Sequence, residues 1–284
     1  MSSARSASVF THRRPQETGD AVKALLAAAR EAGVELHFNA HEAEKHGLKD
    51  GDGIRVADEV SRDVDLCFAL GGDGTILYAL RTYAGTDVPV FGVNFGEIGF
   101  LATIEPADVR DGFPRALAGD FEVLKLPALT LTNAQADWTA LNDISLHRRA
   151  GNRTADLSYA IGDNEIGRVR CDGLVIATPA GSTGYNLANG GPVMAWGVAG
   201  YAVSFIAPHS LTARALVVAP DDTLTVHNGS QDEPVDVSID GRPAGELAPD
   251  DAITARFLRE AADLAQVPGS SFYRRLREKF GLLA

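Results

Sequence analysis

Between Leu66 and Tyr78 the chain reads LCFALGGDGTILY, an apolar run that passes without a linker into Gly-Gly-Asp-Gly-Thr and then into a helical pattern. Gly71, Gly72 and Gly74 carry no side chains, so amides in this turn can approach a phosphate closely and adopt angles closed to other residues. A helix starting near Thr75 adds the positive end of its dipole, which attracts the same anion. Asp73 is the odd member of this phosphate loop. Its charge opposes phosphate binding unless it handles Mg2+ or accepts a proton from an attacking hydroxyl. The loop therefore points to phosphoryl transfer, against the plainer reading of a tight glycine turn between a strand and a helix.

Three further segments carry polar chemistry. GVNFGEIGFLATIEP, Gly92 to Pro106, leaves the end of another apolar run. Its Phe95 and Phe100 could flank a base or ribose, or simply pack in a core. Leu141-Asn142-Asp143 sets an amide beside a carboxylate, a pair that can hydrogen-bond the two hydroxyls of a ribose or make an ordinary turn. The densest stretch is RCDGLVIATPAGSTGYNLANGGP, Arg170 to Pro192. There Asp172 can accept from a nucleotide donor, Thr178, Ser182 and Thr183 are short donors and acceptors, and Tyr185 can stack on a base. Ala-Gly-Ser-Thr-Gly also looks like a degenerate nucleophile elbow around Ser182. Pro179 directly after the strand, Ala180 in place of glycine, and the early position of His227 argue against a hydrolase. The chain has neither a Walker A run nor G-x-G-x-x-G, so ordinary ATPase and Rossmann dehydrogenase chemistry are not indicated.

The elements that must position these residues fall into two textures. Val22, Leu25, Leu26, Ala29 and Ala32 have helical spacing from Asp20 onward, with Gly33 as the stop. Val34, Leu36 and Phe38 alternate as a strand, Leu66–Leu70 and Val88–Val93 read as buried strands, and a helix from Thr75 to about Ala84 lies between the last two. Strands alternating with helices imply a parallel sheet whose ligands sit at the carboxyl ends of the strands, where GGDGT lies. After Phe121 short β-rich runs take over: Ala128–Thr132, Ile144–His147, Leu174–Thr178, Val203–Ala207, Leu224–His227 and Val235–Ile239. The expected fold class is α/β: an open parallel α/β domain over residues 1–120, then a β-rich domain over 121–267. The amphipathic tail Ser271–Phe280, with Phe272, Leu276 and Phe280 four apart, makes 268–284 a helix packed back on the first domain.

Composition narrows the partners. The chain has 284 residues and a formal net charge of −12. Nucleic acid and anionic membranes both demand clustered Lys and Arg, so neither is expected as a partner, while a small anionic substrate needs only a local basic group. No apolar run approaches the ~20 residues of a membrane-spanning helix, and the polar start MSSARSAS lacks an apolar leader core, which predicts a cytoplasmic protein. Cys67 and Cys171 form no disulfide framework and no zinc spacing, and no metal cage is visible.

Taken together, GGDGT, VNFGEIGFLA, LND, DGLVIATPAGSTGYNLANGGP and PHSL (Pro208–Leu211) resemble the NAD kinase family over nearly the whole chain. GGDGT alone is shared with soluble lipid kinases of the diacylglycerol and sphingosine type, and GGDG with phosphofructokinases. The long second block is far more specific. The resemblance implies transfer of a phosphate from ATP, or polyphosphate, to the 2′-hydroxyl of the adenosine ribose of NAD. It also implies a C-terminal β-sandwich, Mg2+ or another divalent cation carried with ATP, and a homodimer or homotetramer.

By motif, Asp73 matches the family's catalytic carboxylate, and Gly71, Gly72, Gly74 and Thr75 its phosphate loop. Phe100, Thr183 and Tyr185 match residues around the adenine, Asn142 and Asp143 the ribose pair, and Asp172 a further contact in the NAD-binding stretch that includes Thr178 and Gly184. A basic residue at the place of Arg170 accompanies preference for NAD over NADH. Three departures stand out: Asp143 where glutamate is usual, Ala180 where a hydroxyl residue is usual, and Ala188 where serine is common. A catalytically silent NAD(H) sensor is the binding-module alternative, and the retained Asp73 speaks against it.

Overall fold

The computed structural model describes residues 3–132, 137–151 and 153–281. Two compact units divide the chain, Met1–Lys125 with Ala262–Ala284, and Leu126–Ala261.

The first unit opens with β1 (Ser6–Thr11), followed by α1 (Pro15–Ala32), β2 (Glu35–Asn39), α2 (Ala40–His46), β3 (Ile54–Ala57), β4 (Leu66–Gly71), α3 (Asp73–Thr82), β5 (Val90–Asn94) and α4 (Val109–Leu117). All five strands are parallel in the order β3-β2-β1-β4-β5. Parallel pairing buries both faces, and β4 and β5 are buried at every residue. On one face Val9, Leu36, Phe38, Phe68 and Phe91 pack with Val22 and Leu25 of α1 and Phe113 of α4. On the other, Tyr83 just beyond α3 donates its hydroxyl proton to Ser8 Oγ at 2.7 Å.

Helical periodicity predicts a start at Asp20, whereas α1 begins at Pro15. Proline lacks the N–H that the first turn leaves unpaired, so it serves at that position without being part of any apolar stripe. Gly33 ends the helix as expected, with φ 68° and its N–H on the carbonyls of Ala29 and Arg30. β1 goes unmarked in the sequence because its segment SASVFT is mostly small and polar. It nonetheless lies between β2 and β4, where partners on both sides supply its hydrogen bonds.

The second unit is antiparallel. Its elements are β6 (Glu122–Thr132), β7 (Asp137–Ala140), β8 (Asp143–Arg148), β9 (Ala155–Ile161), β10 (Asn164–Cys171), β11 (Gly173–Ala177), the single turn α5 (Tyr185–Ala188), β12 (Tyr201–Ile206), β13 (Leu216–Val218), β14 (Leu224–Asn228), β15 (Val235–Ile239), β16 (Arg242–Leu247) and β17 (Ala252–Gln266). One sheet runs β13-β12-β11-β8-β15-β16, the other β10-β9-β14-β17. Inward residues of both, among them Leu146, Ile176, Val203 and Val237 from the first and Leu157, Cys171, Leu224 and Ile253 from the second, form one core. This is a β-sandwich. The chain crosses between the units inside β6 and returns inside β17, strands too continuous to show a linker in the sequence.

Beyond β17 the last helix, α6 (Phe272–Phe280), belongs to the first unit. Phe272 and Phe280 meet the ring of Phe100 at centroid distances of 5.6 and 5.9 Å. The largely buried guanidinium of Arg275 donates to the carbonyls of Phe100 and Ala102 and to Gln266 Oε1. Lys279 reaches Glu105 at 2.8 Å. Among the described residues no helix is long and apolar enough to cross a membrane, and both cysteines are free and buried.

Arg275→Ala strands the two carbonyls that the guanidinium now satisfies. It should destabilise the first unit by about 2–4 kcal/mol, seen as a lower midpoint in urea unfolding.

Candidate active site

β4 ends at Gly71, and Gly72 caps α3, whose first residue is Asp73. The helix thus begins two residues earlier than its pattern predicts, because glycines on both sides of Asp73 mask the first turn. The Asp73 carboxylate reaches across to the segment after β5: Oδ2 accepts from the Phe100 amide at 3.0 Å and Oδ1 from the Leu101 amide at 2.8 Å. Each oxygen keeps a lone pair for a further donor.

Two loops meet here at close quarters. A Cβ built on Gly96 would lie 2.8 Å from the Cα of Gly72, and one on Gly71 would lie 2.3 Å from Thr75 Oγ1. Asn94 holds the second loop, accepting from the Gly96 amide at 3.0 Å and donating to Glu105 at 3.0 Å. Phe100 comes to the loop through its amide. Its ring is 4% exposed and packed against α6, which leaves little of it for a base. A cleft of about 480 Å³ lies nearby, bordered by α4 and α6, but none of Gly71–Thr75 lines it.

A basic turn runs beside the glycine loop, and motif reading passed over it. His12 follows β1, and its amide donates to the carbonyl of Leu70 at 2.7 Å, so His12-Arg13-Arg14 begins alongside Gly71. Glu17 pairs with His12 at 3.0 Å and Arg14 at 2.8 Å. The largely buried Lys45 bonds the carbonyls of Thr11 and His12 and pairs with Glu42 at 2.8 Å. The run HRRP before a helix was the available sign, since it supplies the cations that GGDGT lacks.

In the second unit the structure gathers Asn142, Asp143, Thr178, Thr183, Gly184 and Tyr185. Thr178 is fully buried. Its hydroxyl donates to the Leu141 carbonyl at 2.6 Å and accepts from the Gly181 amide at 3.1 Å, while its own amide bonds the Asn142 carbonyl at 2.9 Å. Thr178 therefore shapes the site rather than offering a free hydroxyl. Gly181 is required by contact, since a Cβ there would sit 2.1 Å from the Asn142 carbonyl oxygen. Ser182 is wholly buried and donates to the Pro179 carbonyl at 2.7 Å, which rules it out as a hydrolase nucleophile. The Thr183 hydroxyl reaches the Ala180 carbonyl at 3.4 Å, and Gly184 leads into α5. Tyr185 stacks on His147 with centroids 5.5 Å apart and planes 10° from parallel.

Asp240, absent from any motif, organises this half. It sits at the tip of the β15–β16 hairpin with φ 48°, followed by Gly241 at φ 72°, the Asp-Gly pairing that such tight turns favour. Oδ1 accepts from the amides of Asn142 at 2.7 Å and Asp143 at 3.2 Å, and Oδ2 from Leu141 at 3.2 Å. The neighbouring Asp143 carboxyl is buried, and burial together with the Asp240 charge pushes it up to about 7. The amide oxygen of Asn142 is buried with no hydrogen-bond partner among the described residues.

Asp172 is engaged by Arg148, whose Nε lies 2.6 Å from Oδ1 and holds the carboxyl below its usual range. Arg170 is 74% exposed and only loosely paired, its Nε 3.8 Å from Asp156. Neither side chain is drawn into the cluster around Asn142 by a hydrogen bond among the described residues.

Residues 20–121 match the ATP-NAD kinase N-terminal domain, and residues 141–266 match the ATP-NAD kinase C-terminal domain. The chain belongs to the NAD kinase family. A curated NAD kinase of Gemmatimonas aurantiaca is 34% identical, over 77% of this chain and 78% of its own length. One from Bifidobacterium longum subsp. infantis is 33% identical over 98% of this chain and 82% of its own. Among solved structures, yeast NADH kinase complexed with NADH superposes with a TM-score of 0.87, covering 100% of this chain and 89% of that one at 22% identity. An NAD kinase from Archaeoglobus fulgidus in complex with ATP gives 0.75 at 26% identity, covering 97% of each chain. Their sharing of this fold agrees with the α/β unit and β-sandwich described above.

Among the described residues no three of His, Cys, Asp and Glu converge on one position. Asp73 is the carboxylate of the glycine loop, and both its oxygens already accept amides, so it suits contact with a cation carried by a substrate better than retention of a resident one.

Gly96→Ala should lower NADP formation by about tenfold or more at unchanged far-ultraviolet circular dichroism, because the methyl pushes the two loops apart and catalysis is sensitive to shifts near 1 Å. Initial-rate kinetics on the purified variant check it.

Proposed function

We propose that this protein phosphorylates NAD at the 2′-hydroxyl of its adenosine ribose, with ATP as donor, giving NADP. The observation that carries the reading is Asp73, set in the first turn of α3 inside a glycine loop and held by two amides within the region matching the ATP-NAD kinase N-terminal domain. A ribose hydroxyl is a weak nucleophile, so the enzyme must align it with phosphorus and supply an acceptor for its proton. An aspartate with a reference pKa near 4 cannot form an alkoxide in advance. Asp73 instead orients the hydroxyl and takes the proton late in the transfer.

The remaining roles follow from what each unit offers. Gly71, Gly72, Gly74 and Thr75 cradle donor phosphate at the start of α3, and Arg13 and Arg14 lend positive charge beside them. Asp73 would face a divalent cation carried with ATP, such as Mg2+, whose charge would offset the repulsion between that carboxylate and phosphate. In the second unit Asn142 and Asp143 take ribose hydroxyls, Tyr185 and Thr183 border the adenine, and Asp172 and Arg170 stand at the rim. Polyphosphate is the other donor of the family pattern, and a coupled assay of NADP formation with either donor separates them. The protein works in the cytoplasm as a homodimer or homotetramer. The nearly full exposure of Leu211 suits an apolar contact with another copy, and light scattering reads the mass.

Asp73→Asn should retain NAD binding within a few-fold yet lower kcat by about 10² to 10⁴, the range for a lost acid–base group. Unchanged turnover would remove Asp73 from the mechanism. Arg170→Gly should raise the NADH to NAD ratio of kcat/KM by at least about tenfold. Its exposed and loosely held guanidinium is free to restrict the nicotinamide end by bulk, and equal ratios in both proteins would refute that.

A further inference from the structure

Asp240 enters none of the roles above, yet the ribose pair hangs from it. Its carboxylate takes the amides of three successive residues, Leu141, Asn142 and Asp143, at 3.2, 2.7 and 3.2 Å. Its own amide returns a bond to the Asp143 carbonyl at 2.8 Å. Thr178 ties the Leu141 carbonyl from the opposite side. The backbone that presents Asn142 and Asp143 is thus clamped between a hairpin tip and the end of β11. The clamp is also an anion beside a buried acid.

We propose that Asp240 is a positioning residue for dinucleotide binding, which fixes the Leu141–Asp143 backbone and, through its charge, adds to burial in setting whether Asp143 meets the ribose as a proton-bearing donor or as an ionised acceptor. This rests on the reading of Asn142 and Asp143 as the ribose pair. Few other groups compete for control of Asp143. From α5 Tyr185 faces it and is itself pushed up by burial and by the Asp143 charge. β11 opposes it with Ala177, and on β15 the register places Ile239 against Ile144. His147, further along β8, stacks on Tyr185 and senses Asp236 on β15.

The consequence is a pH-dependent site. A ribose diol donates two hydrogen bonds most strongly to an ionised carboxylate. Asp143 carries a proton up to about 7, so binding below that point must expel it. Affinity for NAD should therefore rise with pH through neutrality and level off above it.

The experiment measures KM for NAD and calorimetric Kd from pH 6 to 8, with proton release read from buffers of different ionisation enthalpy. Wild type should gain about tenfold in affinity over that range, as expected for one proton lost near 7. Asp240→Asn keeps an oxygen for the Asn142 and Asp143 amides and removes the charge. Because burial is the larger cause of the shift and remains, the variant should move the rise in affinity to lower pH and reduce proton release at pH 7 to well below the wild-type value. Asp240→Ala, losing the clamp as well, should raise KM at every pH.

A purely structural role would raise KM in both variants while leaving the slope and proton release as in wild type, and that result overturns the proposal. Should Asp240→Asn fail to fold, Asp143→Asn carries the test, since a persisting tenfold slope would place the titration elsewhere and overturn it too, whereas a flat profile supports the pair. Wild type that neither binds NAD nor forms NADP would instead refute the functional reading on which this rests.

Discussion

The bond pair from the Phe100 and Leu101 amides to Asp73 is the constraint on which the first unit's chemistry depends. It joins the start of α3 to the segment after β5, and Phe100 also connects to the far end of the chain. The Phe100 ring meets Phe272 and Phe280, and the Phe100 carbonyl takes Arg275. A carboxylate that serves as proton acceptor must hold its direction without being neutralised. Backbone amides do this better than a lysine or arginine would, because they bring partial charge and fixed geometry but leave the acid able to accept a proton. A basic run sits one strand away, after β1, where the His12 amide bonds the Leu70 carbonyl and Arg14 pairs with Glu17 rather than with Asp73.

The second unit solves a related problem with the same device. Asp240 gathers amides of the Leu141–Asp143 turn as Asp73 gathers those of the Phe100–Leu101 turn. In both places an aspartate at the end of a regular element, a helix start in one and a hairpin tip in the other, holds a loop from a different part of the sequence. The difference lies in burial. Asp73 is only partly buried and at a helix start, whereas Asp143 shares a buried site with a second carboxylate and is pushed toward neutrality.

Much of this was legible because it is written in composition. GGDGT announces close backbone approach, and the approach is there between Gly72 and Gly96. The apolar runs Leu66–Leu70 and Leu174–Thr178 became the buried strands β4 and β11. What stayed hidden depends on long-range pairing. β1 is held by neighbours on both sides, not by its own propensity, and β10, β16 and the first part of β17 carry outward charges that break any apolar run. Asp240 is invisible for the same reason, lying about a hundred residues from the amides it binds, so nothing local to an Asp-Gly turn reveals them. The internal partners of Thr178 and Asp172, the Leu141 carbonyl and Arg148, were likewise not legible, because the fold supplies them from distant segments.

The three departures from the family pattern become consistent once these contacts are known. Ala180 is buried, and its carbonyl accepts the Thr183 hydroxyl, so its backbone is tied into the turn without a side-chain hydroxyl. Ala188 is exposed at the end of α5, where water can replace a serine contact. Asp143 is the departure with a physical price, because the shorter side chain keeps its carboxyl close to its own backbone, and hence to the amides that Asp240 holds. A glutamate at this position would carry its charge one methylene farther from Asp240 and feel less repulsion. The substitution thus converts a simple anionic acceptor into half of a coupled carboxylate pair, and Asp240 matters more here than it would beside a glutamate.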